Sequence, residues 1–195
     1  FTLGSATNYT GVTEVRGGIL TLNYNVLGTA PGAIINAASV LTLGGGTLTQ
    51  TPKASTNSSQ TFASTTIAPG GSATTKGAPT ASFGTTLALG AITRQTGGTV
   101  DFGVNNNGTG NTTIASSTLD SGGLLGGWAT ANQGASFATV TVNVTNNIAA
   151  YSGTTTALFN GGASSNVDSP TVTTIGGGAT TINSLRFNTA PGASY

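Results

Sequence analysis

Gly-Gly pairs begin at Gly17, Gly45, Gly70, Gly97 and Gly122, at nearly equal intervals, and four of the five lead directly into an apolar run. With 31 glycines in 195 residues, roughly five such pairs arise by chance, so their spacing is the constraint and not their existence. A fixed period between about 20 and 50 residues, which these intervals satisfy, marks a solenoid, in which each coil buries its apolar face only by stacking on its neighbours. The period therefore predicts that the chain winds, coil on coil, around a common axis.

The runs between the glycines have strand character. Gly18 to Tyr24, Ser39 to Leu43, Gly46 to Thr51, Thr85 to Ile92, Gly98 to Gly103, Ala138 to Thr145 and Thr180 to Phe187 are short, alternate apolar with polar residues, and are rich in β-branched and aromatic side chains. Turn clusters lie between strands, including Thr29 to Gly32, Pro69-Gly70-Gly71, Asn105 to Gly108, Gly161-Gly162 and Ala190-Pro191-Gly192. No 12-residue window carries apolar residues at helical spacing, so no long helix is expected. The fold class is all-β: a right-handed β-solenoid, with a β-sandwich as the alternative because it shows the same short strands and frequent turns. Residues 1–195 read as one β-rich unit, and seven to ten coils at about 4.8 Å would give a rod of roughly 35 to 50 Å. Asn105 to Asn107 and Asn146-Asn147 are candidates for side-chain ladders along the axis, or for plain turn chemistry.

Composition narrows the function. Charged residues make up 5% of the chain, against about 25% in an average soluble protein. Thr and Gly together fill more than a third of all positions. A hydrophobic content of 36% falling in alternating runs separates the chain from a disordered linker. Without Cys or His there is no disulfide framework, and the commonest general base and metal ligand are both missing. A net charge of +1 gives no basic patch for nucleic acid, and no apolar run is long enough to span a membrane as a helix.

Asn8 to Leu22, NYTGVTEVRGGILTL, resembles the autotransporter-associated β-strand repeat. A second stretch, from about Leu87 to Thr189, resembles the long units of giant surface proteins that carry those repeats. The resemblance lies in LGAITRQTGGTVDFG, LLGGWATANQGASFATV and TTINSLRFNT. It implies a β-helical passenger region at the surface of a Gram-negative bacterium, in adhesion or biofilm matrix, with no catalytic residues and no cofactor. Residues Lys53 to Thr80 match nothing in that pattern, and only one clear copy of the short repeat is present.

The expected role is structural: an extracellular segment that forms or continues a surface filament, with copies of itself or covalently adjacent repeats as partners. Phe1, Tyr9, Phe187 and Tyr195 mark the expected assembly boundaries. An adhesin that recognises surface glycans is the alternative, using Tyr9, Trp128 and Tyr151, with Trp128 read first as a core residue. A β-helical polysaccharide-degrading enzyme would instead gather Asp101, Asp120, Asp168 and an Arg in one cleft, and the same three acids are the only candidate metal ligands. The charges have a plainer reading as pairs: Glu14 with Arg16 on one strand face, and Arg94 or Arg186 placed to answer Asp101 or Asp168.

Overall fold

A computed structural model describes residues 1–27, 32–76, 83–104, 113–116, 118, 124–141, 146–153, 166–169, 181–182 and 184–187. The described strands wind into a parallel β-solenoid with three faces. Face A stacks β1 (Thr2–Leu3), β3 (Ile19–Asn23), β5 (Thr47–Thr51), β8 (Gly70–Lys76), β11 (Gly98–Phe102) and β13 (Ala129–Ala131). Face B stacks β2 (Thr13–Val15), β4 (Val40–Leu43), β7 (Ser64–Ile67) and β10 (Ala91–Arg94). Face C stacks β6 (Ser58–Thr61), β9 (Thr85–Ala88) and β12 (Thr113–Ala115). Three turns are complete on all faces: β4-β5-β6, β7-β8-β9 and β10-β11-β12. The parallel pairing of neighbouring coils sets this architecture apart from a sandwich, whose sheets are antiparallel.

The alternation read from the sequence supplies the inward faces. On face A, Leu20, Leu48, Thr74, Phe102 and Ala131 stand in one register column. On face B, Val15, Leu43 and Ile67 form another, and on face C Gln60, Leu87 and Ile114 a third. Leu48, Phe102, Leu43 and Ile67 have no exposed surface at all. Each coil thus covers the apolar rung of the one before it, where a fully buried Leu or Ile side chain contributes about 1.5–3 kcal/mol.

The period is a corner. Gly17-Gly18, Gly45-Gly46, Gly70-Gly71 and Gly97-Gly98 all lie where the chain turns from face B to face A, and one glycine of each pair has a positive φ. Successive corners nearly touch: a Cβ on Gly70 would lie 3.1 Å from the Gly45 backbone, and one on Gly98 would lie 2.6 Å from the Ile67 carbonyl oxygen. Gly122 lies outside the described residues, and the fifth corner is made by Gly126-Gly127, just ahead of β13.

Buried polar side chains do at the bends what ladder hydrogen bonds do within strands. The Gln60 amide accepts from Ile35 N–H (3.0 Å) and donates to Ile35 C=O (2.9 Å), bridging to the preceding coil where face C has no strand. Thr65 Oγ1 donates to Leu89 O (2.7 Å), Ser116 Oγ to Gly90 O (2.9 Å), and Ser72 Oγ accepts from Gly45 N–H (2.8 Å). Each of these bonds joins one coil to the next. Gln50 is different: both polar atoms of its buried amide lack a hydrogen-bond partner among the described residues. It nonetheless lies near enough to the Tyr24 phenol to oppose slightly the burial that pushes that group's pKa up to about 12. Tyr24 stays neutral and donates to Ser59 O (3.1 Å).

Two expectations are corrected, the single strand from Thr85 to Ile92 and the length of the stack, and two further stretches take on definite structure or lie outside the described residues. The run Thr85 to Ile92 is two strands, β9 and β10, because the chain bends at Leu89-Gly90, where Gly90 has a φ of +62°. Lys53 to Thr80, which resembled nothing, contains β6, β7 and β8 and so most of a complete coil. The stack is shorter than seven to ten coils: face A has six parallel strands, which cover roughly 24 Å, because the chain then folds back on itself. Asn146 is a turn residue with a φ of +46°, while Asn105 to Asn107 lie outside the described residues.

Gly98 has no left-handed φ, so its need for glycine is steric alone. Gly98→Ala is expected to lower stability by about 2–3 kcal/mol in urea unfolding, because the Ile67 and Ala68 carbonyls block the new methyl. Gly11→Ala, with nothing within 4 Å, should change it by less than about 0.5 kcal/mol. Equal effects of the two substitutions would remove the corner contact from the account.

Candidate functional site

The charged residues are the first place to look for chemistry, and each described charged side chain has a partner within the chain. The Glu14 carboxylate and Arg16 guanidinium lie 2.7 Å apart on the outer surface, an exposed pair of small energetic consequence. Arg94 does not answer Asp101; its Nε donates to the Gly98 carbonyl at 2.9 Å. Asp168 stands opposite Arg186 in the separate parallel pair β16 (Asn166–Ser169) and β17 (Ser184–Phe187). Asp120 lies outside the described residues.

Asp101 has the most developed surroundings. It sits on the outer side of β11, and its Oδ1 accepts from Thr130 Oγ1 (2.8 Å) and Gly134 N–H (2.8 Å) while its Oδ2 accepts from Gln133 N–H (2.9 Å). Asn132, Gln133 and Gly134 all have positive φ, at 60°, 62° and 77°. Two consecutive non-glycine residues in that region cost about 1–2 kcal/mol each, and hydrogen bonds to a charged acceptor offset this at about 1.5–3 kcal/mol apiece. Three donors from the chain tie the Asp101 carboxylate to this turn. No three Asp, Glu, His or Cys residues gather around a point among the described residues.

The turn that Asp101 holds ends the parallel stack. After it β14 (Ser136–Thr141) runs antiparallel to β13, β15 (Asn147–Ala150) runs antiparallel to β14, and β15 pairs with β12. This ribbon joins face A to face C and covers the free edge of each. Face B is closed differently: Thr118 Oγ1 accepts from Ile92 N–H and donates to Ile92 C=O, standing in for a strand beside β10.

The expected binding aromatics do not come together. Tyr9 belongs to the first coil, where it is 41% exposed and its hydroxyl shares a 2.9 Å hydrogen bond with Thr13 Oγ1. Trp128 and Tyr151 belong to the closing ribbon's end, four strand spacings or about 20 Å along the axis. Trp128 is partly buried and packs against the core, its indole lying so close over Gly126 that a Cβ there would collide with Nε1. Tyr151 is also partly buried, and its N–H donates to Phe137 O (2.8 Å). Phe1 is 84% exposed at the first edge of face A. Phe187 has its backbone opposite Ser169, and Tyr195 lies outside the described residues.

The Asp101 turn and the Gln60 bridge were missed in the sequence. Asn132-Gln133-Gly134 carried an ordinary turn signal at Asn132 and Gly134 but no sign of the distant carboxylate that holds it, and nothing local marks a Gln that reaches into the preceding coil. The chain matches no family model, no curated protein and no solved structure. The class it defines is a parallel β-solenoid closed at one end by an antiparallel ribbon. No described helix is long and apolar enough to cross a membrane.

Replacing Asp101 should loosen the ribbon first. Asp101→Ala is expected to cost about 2–4 kcal/mol, and Asp101→Asn, which keeps one acceptor, about 1–2 kcal/mol. Hydrogen exchange would show β14 and β15 losing protection ahead of β5 and β8. Loss spread evenly over all strands would contradict the anchoring role.

Proposed function

We propose that this chain is a structural segment of an extracellular bacterial surface fibre, which it forms or continues through stacked β-strands. The observation that carries the reading is the coil-to-coil register. Apolar columns, glycine corners and buried polar bridges each repeat along one axis, so the chain's chemistry is spent on joining coils. The charges support it too: Glu14 and Asp101, the acids with described side chains, are held by Arg16 and by the ribbon turn. The resemblance of Asn8 to Leu22 to a surface-protein repeat points the same way. Partners on this reading are copies of the chain or adjacent repeats of a longer one, at the cell surface.

Cryo-electron microscopy of the native material tests this. The expected result is long filaments with an axial repeat that fits one such unit and strong strand-spacing signal. Dispersed compact particles would overturn the filament and favour an adhesin, with Tyr9 and Tyr151 as the first residues to test against glycans.

A further inference from the structure

The corner between face A and face C gathers buried polar atoms that the chain itself does not satisfy. Gln50 is the last inward residue of β5 and Ser58 the first of β6, so the two flank this corner in one coil. In the next coil Thr85 stands on Ser58, and Thr74 stands on Leu48, diagonally across from Gln50. All four side chains are buried, none more than 3% exposed. Gln50 Nε2 and Oε1, Ser58 Oγ, Thr74 Oγ1 and Thr85 Oγ1 have no hydrogen-bond partner among the described residues. Asn132 and Asn147 share that property but belong to the ribbon and its turn. Within the described parallel stack, then, the unsatisfied side-chain atoms all fall in two consecutive coils around one corner.

Tyr24 ties the two sides together from the preceding coil. Its phenol lies beside the Gln50 amide and donates to Ser59 O at 3.1 Å, one residue from Ser58. Size sets these positions apart as well as polarity. Thr74 is smaller than Leu48 and Phe102, its neighbours in the column, and Ser58 and Thr85 are smaller than Leu87 and Ile114 on the same face. An amide or hydroxyl taken out of water without a partner is destabilising, whereas an apolar side chain at the same place is not.

We infer that this corner is a binding site for internal water, a small cluster held by Gln50, Ser58, Thr74 and Thr85 that joins one coil to the next. The donor and acceptor chemistry selects the ligand. Gln50 Nε2 only donates and Oε1 only accepts, so the occupant must accept at one atom and donate at its neighbour. Water does both. A metal ion cannot serve Nε2, an anion cannot serve Oε1, and an ammonium such as that of Lys76, whose backbone is in register with Gln50, donates only. Since a buried water makes about three hydrogen bonds, these five atoms suit about two waters. Elsewhere Gln60, Thr65 and Ser72 join coils directly; here water completes the joint. The inference goes beyond the fibre reading and does not depend on it.

Two measurements on the whole chain test it. Oxygen-17 relaxation dispersion detects long-lived internal water without interference from exchanging protons. A chain of 195 residues holds on the order of seven buried waters, so Gln50→Leu should lower the dispersion step by about a quarter. The isosteric changes Thr74→Val and Thr85→Val supply the second test through the sign of their effect. If the hydroxyls hold water, each change should lower the melting temperature by about 2–4 °C. If they are simply unpartnered, the new methyl group removes a buried polar atom and the melting temperature rises. An unchanged dispersion step, or a melting temperature that rises or stays the same, overturns the site. So does stabilisation by potassium over lithium at equal ionic strength that Gln50→Leu abolishes, because the occupant is then a cation. Should Gln50→Leu fail to fold, the dispersion step of Thr85→Val decides in its place.

Discussion

The rest of this fold depends on how closely one coil's corner approaches the next. Three faces can remain in parallel register only if the chain turns at the same point in every coil, and at the face B to face A corner the backbones come within van der Waals contact. A methyl group on Gly98 would meet the Ile67 carbonyl oxygen at 2.6 Å, too close for any side chain. Once those corners are fixed, the columns Leu20-Leu48-Thr74 and Val15-Leu43-Ile67 fall into line without further instruction. Glycine thus sets the geometry, and the apolar residues supply most of the stabilisation.

The unusual composition follows from the same geometry. Where strands run side by side, ladder hydrogen bonds satisfy the backbone, but bends between faces leave buried N–H and C=O groups that need partners. Charged side chains are poorly suited to that task because burying them is costly. Neutral Gln60, Thr65, Ser72 and Ser116 serve it by reaching one coil up or down. A chain that repeats this arrangement accumulates Thr, Ser, Asn and Gln and has little use for Lys or Glu. Asp101, the carboxylate with a structural task, is placed where stacking stops, holding a turn that neutral groups would hold less firmly.

Much of the architecture was legible and some was not, for reasons that individual residues make plain. The glycine period marked four of the five corners, and VLTL or GTVDF declared themselves as strands because apolar residues alternate in them. The segment Ser58 to Lys76 did not, because Ser58, Gln60, Thr65, Ser72 and Thr74 occupy its inward positions and give no hydrophobic signal. What buries them is the neighbouring coil, which no local window contains. The break at Gly90 was hidden because apolar residues continue across it. The closing ribbon was equally opaque: Ser136 to Thr141 reads as one more strand, and its reversed direction comes from Asn132, Gln133 and the distant Asp101. Of the residues proposed for binding, Trp128 sits where its bulk suggested, against the core. Tyr9 and Tyr151 are separated by a stacking order that no local pattern reveals.

The central claim is that neighbouring coils pair in parallel one coil apart in sequence, as Ile19 does with Thr47 and Val40 with Ser64. Scalar couplings through hydrogen bonds, measured by NMR in solution, test it most directly because each names its donor and acceptor. The account predicts coupling from Gly44 N–H to the Val15 carbonyl, from Thr47 to Gly18, from Ala68 to Leu43 and from Gly103 to Thr74. Couplings confined to antiparallel partners close in sequence, as a sandwich of hairpins would give, would contradict it.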